Sequence, residues 1–383
     1  MMISSNRISN KDEEADDDKQ REWSDLCEDL LSSILSRLAI GDYLTFKSVC
    51  KSWKAATLHP LPSSLSLLDH CPHDKDSYHD PYLMYFTSKT GFFNFHDPTR
   101  NATYSLSIPP LLDDEIGEVE LFYASHGWLL LGKGRESYFF YNPSTKVKID
   151  LPDTLEPLEW ACFSGSPTSA CCKVYGIYSC HTSITLIATL QLGETRWSMY
   201  YPESVGDIFF GSNCSPVVRN GFIYVLGESG NLGKFWLTSK GLEELYNWKI
   251  IGKHNQKQFL KFQDRFLLES DGNLICVATL EGGEVRVLRF DDYNKIWRKL
   301  ENLNGKSFYV SHRTSISRKT TVSGTGNKIF FPRFYDAKGL FYCLASKKWH
   351  NFPESFSSEN YYNTRGIVHC VWTELPHLSG CVA

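Results

Sequence analysis

Two stretches of this chain carry the residue types best suited to chemistry. Between residues 69 and 79, His70, Cys71, His73 and His79 stand among Asp69 and Asp74, a donor set that could interest a transition metal. Their spacing matches none of the paired Cys/His patterns of zinc sites, and the surrounding Pro, Ser and Asp give the stretch the composition of a linker. No metal is expected there. Further on, Lys306, His312, Arg313, Arg318 and Lys319 form the one local basic cluster. Guanidinium groups would suit an acidic or phosphorylated partner segment through charge-assisted hydrogen bonds. Arg313, Arg318 and Lys319 are therefore the candidate target-binding residues, set against the plainer reading of a solvated loop.

Other candidates fail on spacing. Residues Gly227 to Lys234 have the glycines and lysine of a phosphate loop, but five residues separate Gly227 from Gly233. Phe235 stands where a hydroxyl residue is needed, and no helix pattern follows, so the stretch reads as a hairpin turn. Cys171 and Cys172 are adjacent and cannot share an ion in the usual two-apart geometry. No Gly-x-Ser-x-Gly elbow and no His-Glu-x-x-His helix occurs. The sequence thus points to no catalytic residue and no cofactor, and a net charge of −4 gives no reason to expect a nucleic-acid partner.

The elements that must position any site fall into two groups. Residues 1–21 are polar, hold the acidic run from Asp12 to Asp18, and read as a disordered tail. They lack the apolar core of a signal peptide, and no later run reaches membrane-spanning length. The twelve cysteines then read as reduced thiols in the cytoplasm, the nucleus or both, with no membrane partner. From residue 22 to 60 the pattern is helical. Asp25 and Glu28 resemble a capping box, and Leu30, Leu31, Ile34, Leu35 and Leu38 fall on one helix face. After Gly41 and Asp42, Phe46, Val49, Cys50 and Trp53 are spaced for a second face, which His59-Pro60 ends. Some forty residues cannot bury much alone, so this unit needs a partner or a neighbouring domain. Residues 61–80 read as a linker.

From residue 81 onward the pattern is of short apolar strands between Gly, Asn, Asp and Pro turns. The strands repeat. Trp197, Trp248, Trp297 and Trp349 are 51, 49 and 52 residues apart, and the turns at Pro98 and Pro143 are 45 apart. Apolar cores at 83–86, 128–131, 173–176, 222–225, 266–268 and 329–331 supply a second register. Six units of this length fit the four-stranded blades of a β-propeller over residues 81–376, with a tail at 377–383. Val371 and Trp372 leave no room for a further blade and would complete the first, closing the ring. The polar stretch 304–325 is expected to be an exposed loop. The repeated tryptophans are expected to pack blades rather than to line a binding cage.

Two motifs carry a family resemblance. Leu26-Cys27-Glu28-Asp29-Leu30-Leu31-Ser32-Ser33-Ile34-Leu35-Ser36-Arg37-Leu38 resembles the first helix of an F-box, with Cys27 where the family usually has proline. Val49-Cys50-Lys51-Ser52-Trp53 is similar to the signature of its third helix. His126 to Leu131, Tyr141 to Thr145, Asn220 to Val225 and Val371-Trp372 are similar to the kelch-related propellers behind F-boxes in many plant proteins. The resemblance implies a small all-α F-box followed by an all-β propeller of about six blades. It implies an F-box that docks a Skp-family adaptor and, through it, a cullin, and a propeller that holds a protein target for ubiquitylation. The adaptor-facing residues it implies are Leu26, Cys27, Asp29, Leu30, Leu31, Ile34, Leu35, Leu38, Val49 and Trp53. Such a chain is non-catalytic. The alternatives are an F-box scaffold that acts without ubiquitylation, and an enzyme built on the propeller, which would need metal ligands or paired acids converging at one mouth of the ring.

Overall fold

A short strand that is apolar on both faces must be covered twice. The computed structural model meets this need with a ring of sheets. It describes residues 23–35, 46, 48–56, 81–87, 92–98, 102–107, 119–143, 145–180, 183–202, 209–240, 243–252, 259–320, 326–332, 341–350 and 370–374. Blade 1 contains β1 (Tyr82–Thr87), β2 (Phe92–Asp97) and β3 (Ala102–Ser107). Blade 2 is β4 (Val119–Ser125), β5 (Trp128–Lys133), β6 (Ser137–Tyr141) and β7 (Lys148–Asp150). Blade 3 is β8 (Trp160–Phe163), β9 (Lys173–Cys180), β10 (Ser183–Gln191) and β11 (Ser198–Tyr200). Blade 4 is β12 (Val217–Arg219), β13 (Phe222–Leu226), β14 (Leu232–Lys240) and β15 (Glu243–Ile251). Blade 5 is β16 (Phe262–Ser270), β17 (Asn273–Leu280), β18 (Val285–Asp291) and β19 (Ile296–Leu300). Blade 6 is β20 (Lys306–Tyr309), β21 (Ile316–Lys319), β22 (Lys328–Phe330), β23 (Phe341–Cys343) and β24 (Lys348–His350). The last strand, β25 (Cys370–Thr373), returns to blade 1. This is a six-bladed propeller.

The ring closes as the sequence suggests. β25 pairs antiparallel with β1, Leu83 opposite Trp372 and Met84 opposite Val371. Alternation then splits the pairs between two seams. Met84 and Val371 pack toward blade 2 with Leu121, Leu129 and Phe139, while Leu83 and Trp372 pack toward blade 6 with Tyr309 and Phe330. Each of the other four seams has its own apolar cluster. A fully buried aliphatic or aromatic side chain in such a seam contributes ~1.5–3 kcal/mol.

Turn chemistry sets the register. His126-Gly127, Asn220-Gly221 and Asp271-Gly272 all have positive φ at both positions, the two-residue hairpin that matches strand twist. Each joins the first and second strands of a blade. Asp271-Gly272 also corrects one expectation. Phe266–Leu268 precedes this turn and lies on the inner strand β16, whereas the equivalent of β5, β9 and β13 is β17.

The spaced tryptophans mark the outer edge of their blades, and three latch the blade before. Trp197 Nε1 donates to the Pro152 carbonyl at 2.7 Å, Trp297 Nε1 to Gly230 at 2.7 Å and Trp349 Nε1 to Gly283 at 2.6 Å. Trp248 keeps the position, against Phe209, but its Nε1 has no hydrogen-bond partner among the described residues.

Blade 6 departs from four strands, with the order β21-β20-β22-β23-β24 and β20 parallel to β22. β21 takes the innermost place beside β16. The expectation of an exposed loop over 304–325 is therefore wrong for most of its described part. Residues 310–314 are buried, and partners within the segment and across the centre of the ring, rather than water, satisfy most of their polar groups; Arg313 Nε has none among the described residues.

Candidate docking surface and ring mouth

In the helical segment the sequence stripe divides in two. α1 (Glu28–Leu35) opens with Leu31 N donating to the Cys27 carbonyl at 3.1 Å, so Cys27 caps the helix. Asp25 lies instead in a short 3-10 turn, Trp23–Asp25, so the capping-box reading shifts by two residues. Leu31 and Leu35, four apart, are buried with Phe46 and Ala56. Both were expected to face an adaptor; they face the interior, because one turn of spacing puts them on the same inner line. Leu26, Ile34 and Trp53 pack against this core while remaining partly exposed. Leu30 is 53% exposed and Val49 51%, large fractions for aliphatic side chains. Cys27 and Asp29 are also exposed. Leu38 lies outside the described residues.

The second helical pattern is interrupted. Phe46, Ser48 and Val49 are helical, Cys50 is not, and α2 (Lys51–Ala56) begins after it, with Lys54 N donating to the Cys50 carbonyl at 3.0 Å. Cys50 Sγ and Ser52 Oγ lie 3.0 Å apart, a contact that holds the thiol below its ordinary range. Trp53 packs on Phe46 with ring centroids 4.4 Å apart and planes tilted by 36°, and it donates through Nε1 to the Trp23 carbonyl at 2.9 Å. It ties the entry turn to α2.

In the propeller, residues 310–315 cross the middle of the ring and touch the other blades. Trp372 Nε1 of blade 1 donates to the Val310 carbonyl at 2.9 Å, and Ala124 N of blade 2 donates to Thr314 Oγ1 at 3.0 Å. Ser215 N of blade 4 donates to the His312 carbonyl at 2.8 Å, and His312 Nδ1 meets the Asn213 carbonyl at 2.7 Å. His312 Nε2 is 3.7 Å from Asp264 of blade 5, and its ring packs on Phe266. Arg313 donates to the Glu159 carbonyl of blade 3 at 2.6 Å and pairs with Glu120 of blade 2. Its guanidinium sits over Phe122 at 4.9 Å and Trp160 at 4.6 Å.

Glu120 and Asp264 lie at the N-terminal ends of the inner strands β4 and β16, and Glu159 and Asn213 lie ahead of β8 and β12, so one mouth of the ring is lined by acceptors. Burial is the largest influence on both basic groups of this hub. It pushes His312 down, outweighing Asn213 and Asp264, and pushes Arg313 down against the pull of Glu120 and Glu159. The guanidinium nevertheless stays charged at any physiological pH.

The basic cluster is therefore not a single surface. Arg313 is buried and engaged within the ring, and Arg318 is mostly covered and paired with Glu374. Lys319 alone of the three candidates is exposed. What the sequence hid was the length of reach: partners of Arg313 are more than 150 residues away along the chain. His70, Cys71, His73 and His79 lie outside the described residues, and among the described residues no group of three His, Cys, Asp or Glu could hold a metal.

Comparison with known proteins follows the two parts. Residues 23–62 match the F-box domain family, and residues 92–363 match the KIB1-4 beta-propeller family. An F-box/kelch-repeat protein of Arabidopsis thaliana is 25% identical over 371 residues, covering 92% of this chain and 95% of the relative. An Arabidopsis thaliana F-box protein is 26% identical over 373 residues, covering 91% of this chain and 72% of its own length. Another is 26% identical over 343 residues, covering 87% and 82%.

Proposed function

We propose that this chain, which belongs to the KIB1-4 beta-propeller family and carries an F-box ahead of its propeller, is the substrate-recognition subunit of a Skp-cullin-F-box ubiquitin ligase. The F-box docks a Skp-type adaptor, the adaptor joins a cullin, and the propeller holds the target protein. The observation that carries this reading is the half-exposed pair Leu30 and Val49 beside a small, fully formed core of Leu31, Leu35, Phe46 and Ala56. A unit this small does not complete its burial alone, and two bare aliphatic side chains on it mark where a partner completes it. On the same helical segment Cys27 and Asp29 are exposed and Ile34 is partly exposed.

The chain itself supplies no reacting group. Its contribution is proximity: a target tethered to the propeller experiences a high local concentration of a charged conjugating enzyme, so transfer to its lysines becomes effectively intramolecular. The experiment compares cells expressing wild type with cells expressing Leu30→Asp combined with Val49→Asp. Proteins bound by the propeller should fall in abundance with wild type and accumulate with the variant, which still occupies them. Equal abundance in both would favour a scaffold acting without ubiquitylation.

A further inference from the structure

We propose that the crevice between blades 3 and 4, at the acceptor-lined mouth, is a subsite for a lysine or arginine side chain of the target, an inference that rests on the receptor reading above. The crevice has a volume of about 350 Å³. That is near the small end of the ~300–1,000 Å³ typical of ligand pockets, enough for one long side chain rather than a folded epitope. Its floor is apolar, made by Trp160, Ile177, Ile184 and Val225. Two exposed carboxylates, Glu159 and Glu228, stand among its lining residues; neither forms a salt bridge among the described residues, and Glu159 feels Arg313 only through space. Ser212 also lines it, and the buried Ser212 hydroxyl has no hydrogen-bond partner among the described residues.

These three features select one chemistry. An apolar floor suits a methylene stem, two carboxylates among the lining residues suit a cationic head, and an unpartnered hydroxyl suits an N–H donor. An anionic or wholly apolar ligand would leave the carboxylates desolvated and unpaired, which is strongly disfavoured. The neighbouring seam holds a cation in the same manner: Arg313 lies over Phe122 and Trp160 and pairs with Glu120. Because Arg313 takes its direct carboxylate contact from Glu120, the Glu159 side chain remains available to the crevice.

The test is isothermal titration of the full chain with end-capped Gly-Lys-Gly and Gly-Arg-Gly, using Gly-Glu-Gly as reference. Wild type should bind a cationic peptide and not the acidic one. Glu159→Gln with Glu228→Gln should weaken that binding at least tenfold, and Ser212→Ala a few-fold. Glu156→Gln with Glu281→Gln, the same charge change on exposed residues elsewhere, should leave it unchanged. No cationic binding by wild type, equal binding by the crevice double variant, or an equal loss in the control pair would overturn the proposal. Skp-adaptor binding measured on the same samples separates the two readings. Its absence from wild type would overturn the receptor reading, while the peptide titrations alone decide the crevice.

Discussion

Trp372 and Val310 join the two ends of the ring: the indole of the closing strand donates to a carbonyl that blade 6 pushes into the centre. The same indole is fully buried and lies edge-on to Tyr309 at 5.1 Å. One side chain thus closes blade 1, covers the seam with blade 6 and anchors the hub of residues 310–315.

Trp372→Ala should therefore cost ~3–5 kcal/mol, the range for emptying a large aromatic site. A chain ending at Gly366 should lose more, because β1 then presents an unpaired edge at the centre of the ring. Equilibrium unfolding in urea measures both. Midpoints equal to wild type would contradict closure by β25.

The repeated tryptophans should not be equivalent. Trp297→Phe keeps most of the apolar volume but removes the indole N–H that donates to the Gly230 carbonyl, an expected loss of ~1–3 kcal/mol. Trp248→Phe removes an N–H that has no partner among the described residues and should be close to neutral. Gly233→Ala should be worse than Trp248→Phe, since a β-carbon there would overlap the Trp248 ring. Thermal melting of the three variants would expose any reversal of that order.

Arg313 should behave as a structural residue. Arg313→Ala removes the guanidinium between two rings and strands Glu120, at a cost of ~3 kcal/mol. The lower end of the range applies because the Glu120 side chain is 38% exposed and can rehydrate. Arg313→Lys should rescue little, as an ammonium cannot serve Glu120, the Glu159 carbonyl and two aromatic faces together. Lys319→Ser, by contrast, should leave stability unchanged.

Mild acid should destabilise the propeller through its buried imidazoles. Burial pushes His96 down to about 2 and His312 down from its ordinary value. The unfolded chain takes up these protons near pH 6.5 while the folded chain does not, so stability falls as pH drops below about 6.5. His312→Asn, which keeps an N–H for the Asn213 carbonyl, should make the slope shallower. A melting temperature that is flat between pH 7.5 and 5.5 would show that both imidazoles are accessible to protons.

The sequence was most legible where local rules govern. Tryptophan spacing marked the blade repeat, and Val371-Trp372 marked the closure, because strand packing repeats with the blade; that the tryptophans sit on the outer strands emerged only from the sheet order. The Asp271-Gly272 turn was equally available as a signal, and reading it beside His126-Gly127 and Asn220-Gly221 would have placed β16 and β17 correctly. In the helical segment, periodicity identified the stripe but could not divide it. Leu30 and Leu31 are one residue and about 100° apart, and only packing tells which is inside. The hub was illegible for a different reason. Ser, His, Arg and Thr in succession look solvated, and nothing local reveals that Glu120, Glu159, Asn213 and Asp264 converge to satisfy them.

On the proposed reading, a Skp-type adaptor covers the exposed Leu30 and Val49 side chains. The direct measurement is titration of a purified Skp adaptor onto the full chain, wild type against Leu30→Asp, with the propeller's melting temperature recorded on each sample. Leu30 is the better site than Ile34 for this, since Ile34 also packs on the core. Wild type should bind, and Leu30→Asp should lose at least ~100-fold, because an unpaired carboxylate buried in an apolar contact costs ~3 kcal/mol or more. The melting temperature should not move. Wild-type chain that is folded yet does not bind the adaptor would contradict the account, and would leave residues 23–56 as a helical unit with some other partner.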